Sequence, residues 1–270
     1  MKHAYRLWTA MILLFVAGGM ISCSDDPSSS DTGNPPSVPK IKNHQPKTAY
    51  FDDNYPAGSN KAIAAEYTHF NTAALVVISS ASSLTFTQEL ANGFLAIAEN
   101  NQANQDDGQW NWEYSYSYMG ESMSIELIAA EQDNGDMKWE MYLSSSSSDG
   151  PDFEDYKYME GTVAADGNSG SWSIFDFDPE QDSNPALTFQ WEAVSDTEKT
   201  MKFTAYDDDA WSMVVNYEEN GDDFKMSIED DSDQSVTEVV WNTNTGVGYM
   251  VEGDVQTCWN ADFENVACSN

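Results

Sequence analysis

Trp110-Asn111-Trp112-Glu113-Tyr114-Ser115-Tyr116-Ser117-Tyr118 sets five aromatic side chains in alternation with four polar ones. A β-strand sends successive side chains to opposite faces, so this stretch reads as a strand with one apolar face and one wet face. The same period of two runs almost to the C-terminus. Met123, Ile125, Leu127 and Ala129 alternate with polar residues, as do Met137, Trp139, Met141 and Leu143. Between these runs lies Asn134-Gly135, the dipeptide preferred in the tight primed turns of β-hairpins. Further strands are expected at 156–163, 170–177, 187–193, 201–205, 211–217, 224–228, 236–241 and 247–251, with turns at Asp166-Gly167-Asn168 and Asn220-Gly221-Asp222. That gives roughly 11 strands arriving every 12 or 13 residues, the pattern of an antiparallel meander.

Upstream of Trp110 the period changes to that of a helix. Ile63, Tyr67, Phe70, Ala74 and Val77 recur three or four apart, predicting a helix over 60–80 with Ser59 or Asn60 as its cap. A second helix is expected over 87–100, with Leu90, Phe94, Leu95 and Ile97 inward. No βαβ alternation occurs, which argues against a parallel nucleotide-binding sheet. The expected fold class is α+β, mainly antiparallel β: a curved meander or half-open barrel covered by two N-terminal helices. A sheet of that many strands has to curl or close.

The N-terminus carries an address. Lys2 and Arg6 precede an apolar run from Leu7 to Met20, too short for a typical membrane span, and Met20-Ile21-Ser22-Cys23 follows. Residues 1–22 read as a signal peptide. Residues 23–49 hold five of the nine prolines, many serines and no apolar period, so they read as a disordered tether. Its reach is on the order of 30 Å. Residues 50–270 are expected to form one domain.

Composition narrows the chemistry. There are 46 acidic and 11 basic residues, a formal net charge of -35. Removing Lys2 and Arg6 with the signal leaves nine basic residues and a net charge of -37. Arg6 is the only arginine, so no guanidinium fork remains for phosphate or carboxylate. A polyanion of this kind does not displace counterions from DNA or RNA, which excludes nucleic-acid binding. Of the three histidines only His69 falls in an expected helix, where it reads as an ordinary surface or core residue. Histidine-dependent triads and histidine-rich zinc sites lack their parts.

Several candidate sites remain. Cys258 and Cys268 form an even pair in an exported chain and read as a disulfide; Cys23 stands apart in the signal context. Asp176, Asp178, Glu180 and Asp182 put oxygen ligands at alternate positions, a candidate calcium loop beside the plainer reading of hydrated turn acids. Asp207-Asp208-Asp209 and Asp230-Asp231 add charge of the same kind. Glu113 beside Trp112 and Glu192 beside Trp191 are the carboxylates a glycosidase would draw on, but in so acidic a chain such neighbours are expected by chance. Apart from calcium, no cofactor is implied. Trp110, Trp112, Tyr114, Tyr116 and Tyr118 are the candidate ligand face, either stacking on a sugar, walling a cavity or packing beneath the helices. Met123, Met137, Met141, Met213 and Met226 would suit an acyl chain or serve equally well as core filler.

Met20-Ile21-Ser22-Cys23 resembles the lipobox of bacterial lipoproteins, with Met20 where leucine is usual. The resemblance implies acylation of Cys23 and cleavage before it. Ser24-Asp25-Asp26 resembles the surface-export signal of Bacteroidota-type lipoproteins. Together with the tether and the Trp-rich acidic meander, the chain is similar in character to exported lipoproteins of that type. A many-stranded sheet covered by helices also looks like the half-open barrels of lipoprotein carriers, although here both expected helices precede every strand. The expectation is a non-enzymatic lipoprotein of the outer membrane or cell surface, facing the periplasm or the exterior. Its partners would be the membrane through the lipid anchor and a lipid, a glycan or an envelope protein. The alternative is a carrier or binding module for a lipid or glycan.

Overall fold

The computed structural model describes residues 45–54, 65–99, 102–118, 121–146, 152–176, 184–207 and 211–268. The chain is mostly antiparallel β. Two short helical pieces, α1 (Ala49–Asn54) and a 3-10 turn (Ala65–Tyr67), precede one long helix, α2 (Thr68–Glu99). A single sheet of 14 strands follows in sequence order, each strand pairing with the next. The strands are β1 (Asn104–Asp106), β2 (Gln109–Tyr118), β3 (Glu121–Glu131), β4 (Met137–Ser146), β5 (Phe153–Val163), β6 (Ser169–Phe175) and β7 (Pro185–Ser195). They continue as β8 (Glu198–Asp207), β9 (Trp211–Asn220), β10 (Asp223–Asp230), β11 (Ser235–Asn242), β12 (Gly248–Glu252), β13 (Val255–Trp259) and β14 (Asn265–Val266). The first and last strands do not pair with each other, so the sheet is open. Its end strands are three and two residues long, so beyond Asn111 β2 has β3 as its one strand partner among the described residues.

The 11 expected strands are all present; β1, β13 and β14 are additions at the ends of the meander. They are too short to show a period. The helical region differs more. Where two helices were expected, with a break near residue 80, α2 runs through without one. Ser79-Ser80-Ala81-Ser82-Ser83 looks like a break, but Ser79 Oγ donates to the Val76 carbonyl at 3.0 Å and Ser82 Oγ to the Ile78 carbonyl at 2.8 Å. Hydroxyls that bond back onto their own helix leave its ladder intact. Residues 60–64, the expected start of the first helix, lie outside the described residues, as do the Leu90, Phe94 and Ile97 side chains.

The core lies between α2 and the inner face of the sheet. Phe70, Ala74, Val77, Leu84 and Leu95 on the helix are buried with Trp112, Trp139, Trp172, Phe189, Tyr217 and Trp241 on the strands. Because α2 packs against β7 and β8 and also against β12 to β14, the sheet curls around it.

One inner row shows how rings of this size fit. Trp110, Ala129, Trp139, Gly161, Trp172, Phe189 and Phe203 face one another in register across β2 to β8. Large and small side chains alternate along its first five positions. A methyl group on Gly161 would overlap the Trp172 ring, and one on Gly248 would overlap Trp259. Glycine lets an indole lie flat on the neighbouring strand, an exchange that stabilises a residue otherwise poor in strands.

The N-terminal end of α2 is secured from the far end of the sheet. Asn265 Oδ1 on β14 accepts from the His69 backbone N–H at 2.9 Å, and Asn265 Nδ2 donates to the Ala65 carbonyl at 2.7 Å. His69 Nδ1 lies 2.9 Å from the Cys258 carbonyl. His69 is thus a packing histidine that links helix and sheet, in keeping with its plainer reading.

Candidate functional site: the inner rim and the outer cleft

The sequence-derived candidates scatter. Trp110 and Trp112 are buried in the core and Tyr114 packs against it, so these three rings are part of the filled interior. The side chains of Tyr116 and Tyr118 are not among those described. Met141 and Met226 are fully buried core residues, while Met137 and Met213 are partly buried against the core. Asp176 is exposed, and its backbone carbonyl accepts from the Tyr156 hydroxyl. Asp178, Glu180 and Asp182, with Asp208 and Asp209, lie outside the described residues, as does Cys23. Among the described residues no three potential metal ligands converge. Glu113 and Glu192 are both exposed. Cys258 and Cys268 are bonded to each other, with their Cα atoms 5.3 Å apart.

Sequence reasoning missed the inner rim near β9 to β13. Residues up to 49 read as tether, yet Pro46 is buried, and Lys47 spans to the end of β9. The Lys47 backbone N–H donates to the Tyr217 hydroxyl at 3.1 Å, and its ammonium is paired with the Glu219 carboxylate. Among the described residues Glu219 is the only buried acidic one; its side chain is shielded from solvent while that of Lys47 stays half exposed. Burial pushes the Tyr217 phenol above its ordinary range, against a lowering influence from the Lys47 backbone N–H. From there α1 lays Phe51 into the core beside Phe70, Trp241 and Trp259, with ring centroids 5.0 to 6.3 Å apart. The Trp259 indole N–H donates to the Tyr50 hydroxyl at 3.0 Å, which in turn donates to the Gly246 carbonyl at 2.8 Å. Residues 45–54 therefore act as a strap. Only long-range pairing reveals this, because nothing local about Lys47 distinguishes it from the other tether residues.

The outer face has a different chemistry. Thr162, Ser171, Gln190, Lys202, Asn216 and Ser227 stand in register across β5 to β10. Two residues along each strand, on the same face, Ser169, Glu192, Thr200, Glu218 and Lys225 form a parallel row across β6 to β10. Both rows line a cleft of about 870 Å³. Ser227 is buried and accepts from Asn216 Nδ2 at 3.2 Å. Lys225 reaches Glu238 at 2.6 Å, a bond that raises its ammonium pKa. Next to the cleft, Lys157 meets Glu140 at 2.7 Å and Glu160 at 3.0 Å. Burial alone would raise the Glu140 carboxyl, but hydrogen bonds from Lys157 and Lys138 outweigh it and hold the carboxyl below its usual range.

This arrangement offers mixed hydrogen-bond donors and acceptors along one face of the sheet. The chain matches no protein-family model, no curated protein and no solved structure.

Proposed function

We propose that the chain is a non-enzymatic, membrane-anchored lipoprotein of the cell envelope, at the outer membrane or cell surface, whose acidic β domain binds a partner or serves a structural role. The observation that carries this reading is Met20-Ile21-Ser22-Cys23 behind a short apolar run with Lys2 and Arg6 ahead of it. Acyl chains on Cys23, at about 0.8 kcal/mol per buried CH₂, would hold the domain on a bilayer. Among the described residues no helix is long and apolar enough to cross a membrane, so within them a helical anchor does not compete with the lipid. Radiolabelled palmitate should enter the wild-type chain and not Cys23→Ala, and globomycin should block its processing. Equal labelling of the two chains would remove the proposal. Protease shaving of intact cells then separates an outward-facing domain from a periplasmic one.

A second reading, a binding module for a lipid or glycan, divides on the two faces of the sheet. The inner face is occupied by Trp112, Trp139, Met141, Met159 and Trp172 packed with one another and with α2, which weighs against an acyl-chain cavity. The polar outer cleft favours a glycan.

A further inference from the structure

We propose that the outer cleft across β5 to β10 is a binding site for a linear, uncharged, hydroxyl-rich ligand of the glycan class. This deepens the binding-module reading and rests on it.

The floor of the cleft is a ruler. Neighbouring strands lie about 4.7–4.9 Å apart, so the four side chains from Thr162 to Lys202 offer a polar contact at each step over about 14 Å, and the row continues into the Asn216–Ser227 pair. A ligand that uses the whole row must be extended and must repeat its hydrogen-bonding groups along its length. The row supplies both halves of each bond: hydroxyls and amides donate and accept, and Lys202 donates. Thr162, Ser171, Gln190 and Lys202 have no side-chain hydrogen bond to another described residue, so these groups are available without breaking an internal contact.

Charge selects among extended ligands. Asp136, Glu192, Glu218 and Glu229 line the cleft against Lys202 and Lys225, within a chain of net charge -35. A polyanion is repelled by the carboxylates and by the field of the whole molecule. A peptide adding as a strand needs an open sheet edge, and every strand from β5 to β10 already has a neighbour on both sides. An acyl chain needs mainly apolar walls, and in this cleft polar side chains outnumber Ala164, Trp191 and Met201. A neutral polyol meets none of these obstacles. Its hydroxyls can both donate to and accept from the amides, hydroxyls and charged groups of the cleft, in the manner of polar groups that fix orientation at a binding site.

The test uses the purified full chain, in wild-type form and as Cys23→Ala, titrated calorimetrically with linear hexasaccharides. The neutral probes are built from glucose, mannose or N-acetylglucosamine, and a galacturonic acid hexamer is the anionic control. At least one neutral probe should bind, and the anionic one should not. Gln190→Ala combined with Lys202→Met removes two contacts held by no internal bond and should weaken binding at least tenfold. Asp254→Asn, on the β12–β13 turn, should leave it unchanged. Thermal melts check that each variant folds, and Lys202→Glu alone provides an independent reading of the same position. The proposal is overturned if no neutral probe binds at millimolar concentration, if the double variant binds as tightly as wild type, or if the anionic hexamer binds best. Sugar binding that survives alongside failed palmitate labelling would break the anchoring proposal alone. Labelling without sugar binding would break only the site.

Discussion

The meander uses one packing device twice, and the two copies are anchored differently. On β4 to β6, Trp139 and Trp172 flank Gly161; on β11 to β13, Trp241 and Trp259 flank Gly248. In the first copy the indole N–H groups of both tryptophans are buried without a hydrogen-bond partner. In the second, the Trp241 N–H is likewise buried without a partner, but Trp259 donates to Tyr50, and Phe51 and Phe70 close over the rings. The disulfide also lies on this side, fixing Cys258 on β13 to the chain beyond β14. The same cross-strand pattern is thus held by shape alone in one half. In the other it is held by shape, a strap and a covalent link. An aromatic contact adds about 0.5–1.5 kcal/mol beyond its burial, so the second half should resist distortion more strongly.

The sharpest way to break this comparison is to overpack each rung. Gly161→Ala and Gly248→Ala both drive a methyl group into an indole, and should lower stability by about 2 and about 3 kcal/mol respectively in urea melts. Gly248→Ala should cost more, because Trp259 is tied to Tyr50 and cannot swing aside. Equal losses would mean that the strap adds no stiffness. Next in size is the covalent link. Replacing Cys258 and Cys268 together by serine opens a loop of 11 residues and should cost about 2.8 kcal/mol, without altering the unfolding of a reduced sample.

Lys47→Met leaves Glu219 buried without its cation. Because Lys47 itself is half exposed, the loss should be about 1–2 kcal/mol, below the range for fully buried pairs. Adding Glu219→Gln should recover part of it. A double variant no better than the single would show that the strap acts through Phe51 and Tyr50 instead.

The smallest effect belongs to the outer face. The Glu140 carboxyl is held low, so its ion pair contributes above about pH 4.3 and is lost as pH falls through the depressed folded value. The Lys157 ammonium is held high, first by its bond to Glu140, so its contribution is present below about pH 10.4 and lost as pH rises through the folded value. Lys157→Met should cost about 0.5 kcal/mol at pH 7, discounted for solvent, and should make stability less steep near pH 4. An unchanged pH profile would show the pair to be energetically silent.

Much of the fold is legible because period two is a local property. Trp110 to Tyr118, Met137 to Leu143 and the Asn-Gly turns announce their strands without help from the rest of the chain. The helix was harder to read, since a serine cluster competes for backbone hydrogen bonds in either direction, and neighbouring residues do not say which prevails. The role of the Trp110–Tyr118 face was open for a related reason. Alternation says that one side is apolar, but not whether that side meets solvent, a ligand or a helix. The described rings meet the core.

What the sequence determined by itself is therefore the strand order, the hairpin turns, the acidic character and the cysteine pair that could close. Each depends on residues close in the chain or on simple counts. The tertiary structure decided which face of the sheet is filled, how residues 45–54 strap its rim and which six polar side chains share one row. The physical reason is distance along the chain. Lys47 and Glu219 are 172 residues apart, and the row from Thr162 to Ser227 exists only once six strands are in register.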